Sequence, residues 1–388
     1  MKIGFTIDKF IIGPGLPGID KVCYHLVREL SGMEGLDIFL FQDKYKDAGE
    51  FEVFPVRRFP SPRDLPFASR FAASGEPGKA DSTFSPPSPF LLFVKDLLKR
   101  RAIDRSGIDL LHYPTHLERP YRLFSVPSVM TFHDLVPFVF RATCTERVKW
   151  EMGECLKRLS RVNHFLADSG RTKEDMVGIL GVREDDITVV YPGVSEHYRP
   201  ADTEGIRERV SGGKPYLLFL GTVEPRKNLH TLLCAFSALR EDLVLVISGH
   251  TGWGYEAVRE TVRELSLAER VKFTGFVGEE ELPALYSAAE LFVYPSLYEG
   301  FGLPPVEAMA CGVPVASSTG GSLPEVLGDA ALYFDPNDAD EMRHTIETLL
   351  HDGEMRARLS ARGLVRAKNY TWRNCALGVI DVYRKLVS

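Results

Sequence analysis

Short apolar runs recur along the chain at residues 3–7, 38–41, 110–113, 126–132, 165–167 and 188–191, separated by stretches with helical spacing. A second series follows at 216–220, 243–248, 271–274, 291–294, 314–317 and 331–334, again with helical segments between. Runs of this length alternating with helices predict βα units on parallel sheets. Between the two series, 192–202 reads PGVSEHYRPAD, with proline, glycine and no periodicity, which marks a linker. The pattern therefore predicts an α/β protein of two Rossmann-like domains, residues 1–195 and 196–370. Ligands of such sheets bind beyond the C-terminal ends of the strands, so the cleft between the domains is the expected site. Trp372, Ala376, Ile380, Tyr383 and Val387 recur at steps of three and four, so 371–388 is an amphipathic helix that can complete either domain. Residues 60–90, dense in Pro, Ser, Gly and Ala, break the pattern and read as a long mobile loop, either a passive insertion or a flap on the acceptor side.

Composition narrows the class. With 388 residues the chain can build two cores, and 44% hydrophobic with 26% charged residues is a soluble balance. No apolar run approaches a membrane span, and the first residues enter a strand without a signal peptide, which points to the cytoplasm. Six scattered cysteines, with no CxxC pair, read as reduced thiols. Residues 1–195 hold 27 Lys and Arg against 26 Asp and Glu, and the remainder 20 against 27. No basic face or motif suggests nucleic acid. The helix after the loop ends in Lys99, Arg100, Arg101 and Arg105, cations that can be merely solvated or can touch an anionic membrane surface or acceptor phosphate.

Several stretches carry chemistry. Gly13, Gly15 and Gly18 satisfy GxGxxG, with Asp37 and Asp43 about 20 to 25 residues beyond, which alone would suggest a dinucleotide oxidoreductase. His133 follows a strand in TFHDLVPF and is either structural, with Asp134 to orient it, or functional. Ser169 reads as a helix N-cap, with Arg171 behind it. Arg226 and Lys227 stand at the mouth of a βα turn, where a planar fork and a point charge can hold a diphosphate. Asp338-Ala-Asp340 reads as a loop and N-cap rather than a metal site. The richest stretch is YPSLYEGFGLPPVEAMACG from residue 294 to 312. Gly300 and Gly302 flank Phe301, Pro304 and Pro305 suit a first helical turn, and Glu299 and Glu307 bracket the turn. A helix N-terminus between two acceptors suits a ligand that is anionic at one point and hydroxylated elsewhere, such as a sugar nucleotide.

The string from Glu299 to Glu307 resembles the Glu-x7-Glu signature of retaining family-4 glycosyltransferases of the GT-B type. The resemblance extends to the glycine turn, the His-Asp loop and Arg226-Lys227, and is thin between residues 44 and 106. It implies that Arg226 and Lys227 contact the donor diphosphate, with the amides of the turn at Gly15 and Gly18 facing the same phosphates. It further implies that His133 reaches the donor sugar, that Glu299, Phe301 and Gly302 hold its hydroxyls, that the helix start at Leu303 faces the phosphates, and that Glu307 accepts from the ribose. Metal-independent catalysis without a cofactor, and a final helix packing back on the first domain, follow from the same likeness.

THLERP, TFHDLVPF and GSLPEVLGDAALYFDP look most like bacterial mannosyl- and related transferases of surface polysaccharide. The expected donor is GDP-mannose, with a UDP-hexose second, and the expected acceptor a glycan or lipid-linked glycan. An NAD-dependent oxidoreductase and a nucleotide-sugar epimerase or hydrolase remain the alternatives, with a non-catalytic sugar-nucleotide binder beside them.

Overall fold

The computed structural model describes residues 1–6, 18–41, 86, 88–118, 120, 126–141, 144–240 and 242–388. Gly13, Gly15, Asp43 and nearly all of the 60–90 segment lie outside them. The chain divides into two compact units. One comprises 1–168, 173–190 and 375–388, the other 169–172 and 191–374.

The first unit is built on six parallel strands: β1 (Lys2–Thr6), β2 (Asp37–Phe41), β3 (Leu110–Tyr113), β4 (Ser128–Phe132), β5 (His164–Ala167) and β6 (Ile187–Val189). Their order is β2-β1-β3-β4-β5-β6, with the direction reversing beside β1. The strands are largely apolar and mostly buried, as suits a sheet with helices on both faces. Leu111, Tyr113, Met130, Phe132 and Phe165 form the core. The final helix, Trp372–Val387, contributes Ala376, Ile380 and Tyr383 to the interior, whereas Val387 at its end is exposed. Tyr383 is fully buried and its hydroxyl lies 2.6 Å from His112 Nδ1.

The second unit carries β7 (Tyr216–Leu220), β8 (Val244–Ser248), β9 (Val271–Gly275), β10 (Leu291–Tyr294), β11 (Val315–Ser318) and β12 (Ala331–Phe334). All are parallel, in the order β12-β11-β10-β7-β8-β9, so the order reverses between β10 and β7. At such a point the loops leaving the strands diverge and open a crevice. Each predicted apolar run coincides with a strand, with ends shifted by up to two residues. Stretch 192–202 is not a loose connector. Tyr198 is buried, and a Cβ on Gly193 would fall 2.2 Å from the Trp372 backbone nitrogen, so only glycine fits there.

Candidate active site

Three loops meet at the C-terminal edge of the second sheet. The loop after β7 places Arg226 and Lys227 in a single helical turn that ends at Asn228. Asn228 takes a left-handed conformation, φ 57°, and its side-chain amide donates to the carbonyls of Pro295 and Pro336. These bonds tie the turn to the loop after β10 and offset the cost of that backbone. Leu297 N–H donates to the Arg226 carbonyl at 2.9 Å, and Ser322 N–H to the Glu299 carbonyl at 3.0 Å. Gly321, φ 64°, sits so close that a Cβ would lie 2.3 Å from the Glu299 carbonyl oxygen.

Within this frame two cations converge on one oxygen. Lys227 Nζ lies 2.7 Å and Arg226 Nη1 2.8 Å from Glu299 Oε1. Lys227 also donates to the Tyr294 hydroxyl at 2.8 Å, while Arg226 reaches the Tyr298 carbonyl at 2.7 Å and Glu224 at 2.6 Å. Burial would raise the Glu299 pKa, yet the two cations outweigh it and pull the carboxyl down to about 2. Burial and the neighbouring guanidinium push the Lys227 ammonium below its usual range, against the pull of Glu299.

Beyond Glu299 the chain turns into the helix Leu303–Ala310. Gly302 is its N-cap at φ 91°, where a Cβ would meet Leu323 Cδ2 at 2.7 Å. Pro304 and Pro305 remove two of the donors a helix start normally exposes, leaving the Gly302 and Leu303 amides together with the axial dipole. Phe301 is buried edge-on against Tyr370, with centroids 5.2 Å apart, so only its backbone can serve a ligand. Glu307, 3% exposed, accepts from the Tyr286 hydroxyl at 3.0 Å and is also reached by Tyr198. These tyrosines hold the second carboxylate upright on the helix.

In the first unit the pairing of Phe132 with Ala167 sets His133 beside Asp168. Nδ1 lies 2.7 Å from Asp168 Oδ2 and Nε2 2.8 Å from the Pro114 carbonyl. Both partners are acceptors, so both ring nitrogens must carry protons. Burial opposes that charge, but Asp168 overrides it and raises the His133 pKa well above the ordinary value. The partner is therefore Asp168 and not Asp134, whose carboxylate accepts from Val136 N–H at 2.9 Å.

Of the predicted site residues, Arg226, Lys227, Glu299, Phe301, Gly302, Leu303 and Glu307 come together in the second unit, and His133 and Gly18 belong to the first. Gly15 lies outside the described residues. Gly18 is the first residue of the helix Gly18–Ser31, where a Cβ would meet nothing within 4 Å among the described residues. Asp37 opens β2 instead of closing it, which puts its carboxylate at the opposite sheet edge from a ribose-binding acid. Ser169 Oγ accepts from Thr172 N–H at 3.1 Å as an N-cap, and Asp338 caps Ala339–His351. The composition missed Tyr294, Glu224, Tyr286, Tyr198 and Asp168. The position of Tyr294 and Asp168 at strand C-termini was the one available signal.

The glycosyl transferases group 1 model matches residues 202–365, and the glycosyltransferase family 4 model matches residues 17–198. The O-antigen chain mannosyltransferase B of Escherichia coli is 36% identical over 291 residues, spanning 72% of this chain and 75% of the relative. The chain belongs to the family-4 glycosyltransferases.

The serotype-specific mannosyltransferase WbdA of Escherichia coli is 31% identical over 67% of this chain but only 34% of its own length, so this glycosyltransferase spans about a third of that relative. Anabaena HepE, solved with UDP and glucose, superposes over the full length of both chains with a TM-score of 0.76 at 17% identity. A sucrose-phosphate synthase of Thermosynechococcus elongatus gives 0.75 at 20%, covering 99% and 98% of the two chains. These likenesses establish the GT-B fold. The oxidoreductase and epimerase alternatives find no support in any of them.

Proposed function

We propose that this glycosyltransferase moves mannose, with retention of anomeric configuration, from GDP-mannose to a glycan or lipid-linked acceptor in surface polysaccharide synthesis. The observation that carries the reading is the convergence of Arg226 and Lys227 on Glu299 beside a glycine-capped helix start. Two cations share one buried carboxylate, so a diphosphate can take up the guanidinium fork and ammonium while Glu299 turns its second oxygen to sugar hydroxyls. The mannosyltransferase relatives favour mannose and GDP, with a UDP-hexose as second choice.

In the transfer, the bond from C1 to the phosphate oxygen breaks and its electron pair leaves with the diphosphate. The acceptor oxygen forms the new bond to C1, and its proton passes to a donor phosphate oxygen. Arg226, Lys227 and the dipole of Leu303–Ala310 stabilise the departing charge before it forms, which is electrostatic preorganisation. Glu307 accepts from the ribose, and the amides near Phe301 and Gly302 orient the sugar. The family resemblance assigns the turn at Gly15 and Gly18 to the donor phosphates and His133, as an imidazolium, to the donor sugar. No metal is required.

No described helix is long and apolar enough to cross a membrane. The basic end of the helix Pro89–Asp104 suits peripheral contact with the inner membrane surface of the cytoplasm.

Thermal stabilisation by GDP-mannose, UDP-glucose and NAD, with Arg226→Ala and Glu307→Ala alongside, tests the site, since a ligand of the folded state must raise the midpoint. A shift with a GDP or UDP species that both variants lose supports the reading, and a shift with NAD alone refutes it. Retention is read separately from the anomeric proton of the product by NMR.

A further inference from the structure

Three histidines crowd the C-terminal edge of the first sheet. His112 is saturated, with Nδ1 on Tyr383 and Nε2 on Thr131 at 2.8 Å. His133 is saturated as well. His116 is not. It is 1% exposed, stacked on Phe132 with centroids 5.1 Å apart and planes 18° from parallel, and 6.4 Å from the His133 ring. Its Nδ1 has no hydrogen-bond partner among the described residues. One strand across, Thr6 closes β1 at 2% exposure, and its Oγ1 lacks a partner in the same way. β1 and β3 are hydrogen-bonded neighbours about 4.8 Å apart; Thr6 ends β1, and His116 follows in the loop that leaves β3 after Tyr113.

A buried polar atom left without a partner is costly, and two at one sheet edge indicate groups kept for something that arrives later. The ligand's chemistry follows from theirs. Burial pushes the His116 pKa down to about 4, against the pull of Asp134 and with a push from His133, so the ring is neutral at pH 7. A neutral imidazole and a hydroxyl each offer and accept hydrogen bonds without charge. That matches sugar hydroxyls and disfavours phosphate.

We propose that His116 and Thr6 form a subsite that binds hydroxyls of the acceptor sugar. This rests on the glycosyltransferase reading above and adds acceptor-positioning residues to it. Phe132 fixes the plane of the His116 ring, so the direction of Nδ1 selects among hydroxyl orientations on the incoming ring.

The test uses full-length protein, GDP-mannose as donor and methyl α-D-mannopyranoside as acceptor probe, with Thr6→Val and His116→Phe. Both substitutions remove a polar atom that lacks a hydrogen-bond partner among the described residues and keep the side chain's shape, so the free variants melt at or above the wild-type temperature. The expected result is a rise of about tenfold in acceptor KM, with donor KM and the midpoint shift by GDP unchanged. Saturation transfer from protein to methyl mannoside without donor, at concentrations on the order of 10 mM where a millimolar site fills, should be strong in the wild type and weak in both variants. Equal transfer in wild type and variants, or none in the wild type, overturns the subsite while GDP binding leaves the transferase reading intact. Loss of GDP binding in the variants also overturns it, because the groups would then serve the donor. Absence of nucleotide binding in the wild type strikes the transferase reading instead.

Discussion

Lys227 Nζ stands 2.7 Å from Glu299 Oε1, the oxygen that Arg226 Nη1 also reaches at 2.8 Å. The lysine and the carboxylate come from the ends of strands that are neighbours in the sheet, 72 residues apart in the chain. Each is nearly removed from water, so each requires the other.

Removing one partner should therefore be worse than an ordinary surface change. Glu299→Ala leaves two cations facing a buried gap, and the expected loss is about 3–5 kcal/mol of stability with near-complete loss of transfer. Denaturant titration and initial rates check it. An unaltered midpoint would show that the cluster is not coupled as drawn.

The same carboxylate should shape acid stability. The folded pKa of Glu299, about 2, lies below the ordinary 4.5. Its contribution is thus present above pH 4.5 and is lost as the pH falls towards 2, at most roughly 3 kcal/mol. Glu299→Gln should flatten the unfolding free energy in that window relative to the wild type. His133 runs the other way, because its folded pKa is raised. Its contribution is full below pH 6.5 and fades as the pH climbs through the folded value, a limb that Asp168→Asn should abolish.

Tyr294 gives Lys227 its second acceptor, at 2.8 Å and fully buried. Tyr294→Phe keeps the ring stacked on Phe292 and removes the hydroxyl that Lys227 donates to. The expected cost is about 1–3 kcal/mol, with weaker binding of GDP because the ammonium is less firmly placed. Calorimetric titration with GDP measures the second effect, and unchanged affinity would confine Tyr294 to stability.

Gly321 tests how closely the loops are fitted. A Cβ there would meet the Glu299 carbonyl oxygen at 2.3 Å on a backbone with φ 64°. Gly321→Ala should cost about 1–3 kcal/mol and lower kcat, because relief of the clash must move Glu299. A variant with full activity would show that the loop can yield without disturbing the carboxylate.

Asp338 supplies a control. Its side chain accepts from the Asp340 and Glu341 amides at 2.9 Å and caps the helix behind it. Asp338→Ala should cost about 1 kcal/mol and leave transfer untouched, and chelators should not slow the enzyme. Loss of activity in either experiment would revive a metal role for the Asp338-Ala-Asp340 pair.

The sequence by itself determined the strands and helices, since runs of Val, Leu, Ile and Phe at 216–220 or 291–294 can be satisfied only where both faces are covered. It also determined the local turn at Gly302, Pro304 and Pro305, because φ limits act within a residue or two. Tertiary structure alone decided which strands are neighbours, and with that every long-range partner. It set Asp168 rather than Asp134 on His133, put Tyr294 and Glu299 on Lys227, turned Asp37 to the far sheet edge, and left His116 Nδ1 and Thr6 Oγ1 without a hydrogen-bond partner among the described residues. Periodicity records which residues face a core, but it carries no signal of sheet order. A hydrogen bond across a parallel sheet depends wholly on that order, which the packing of the whole unit selects.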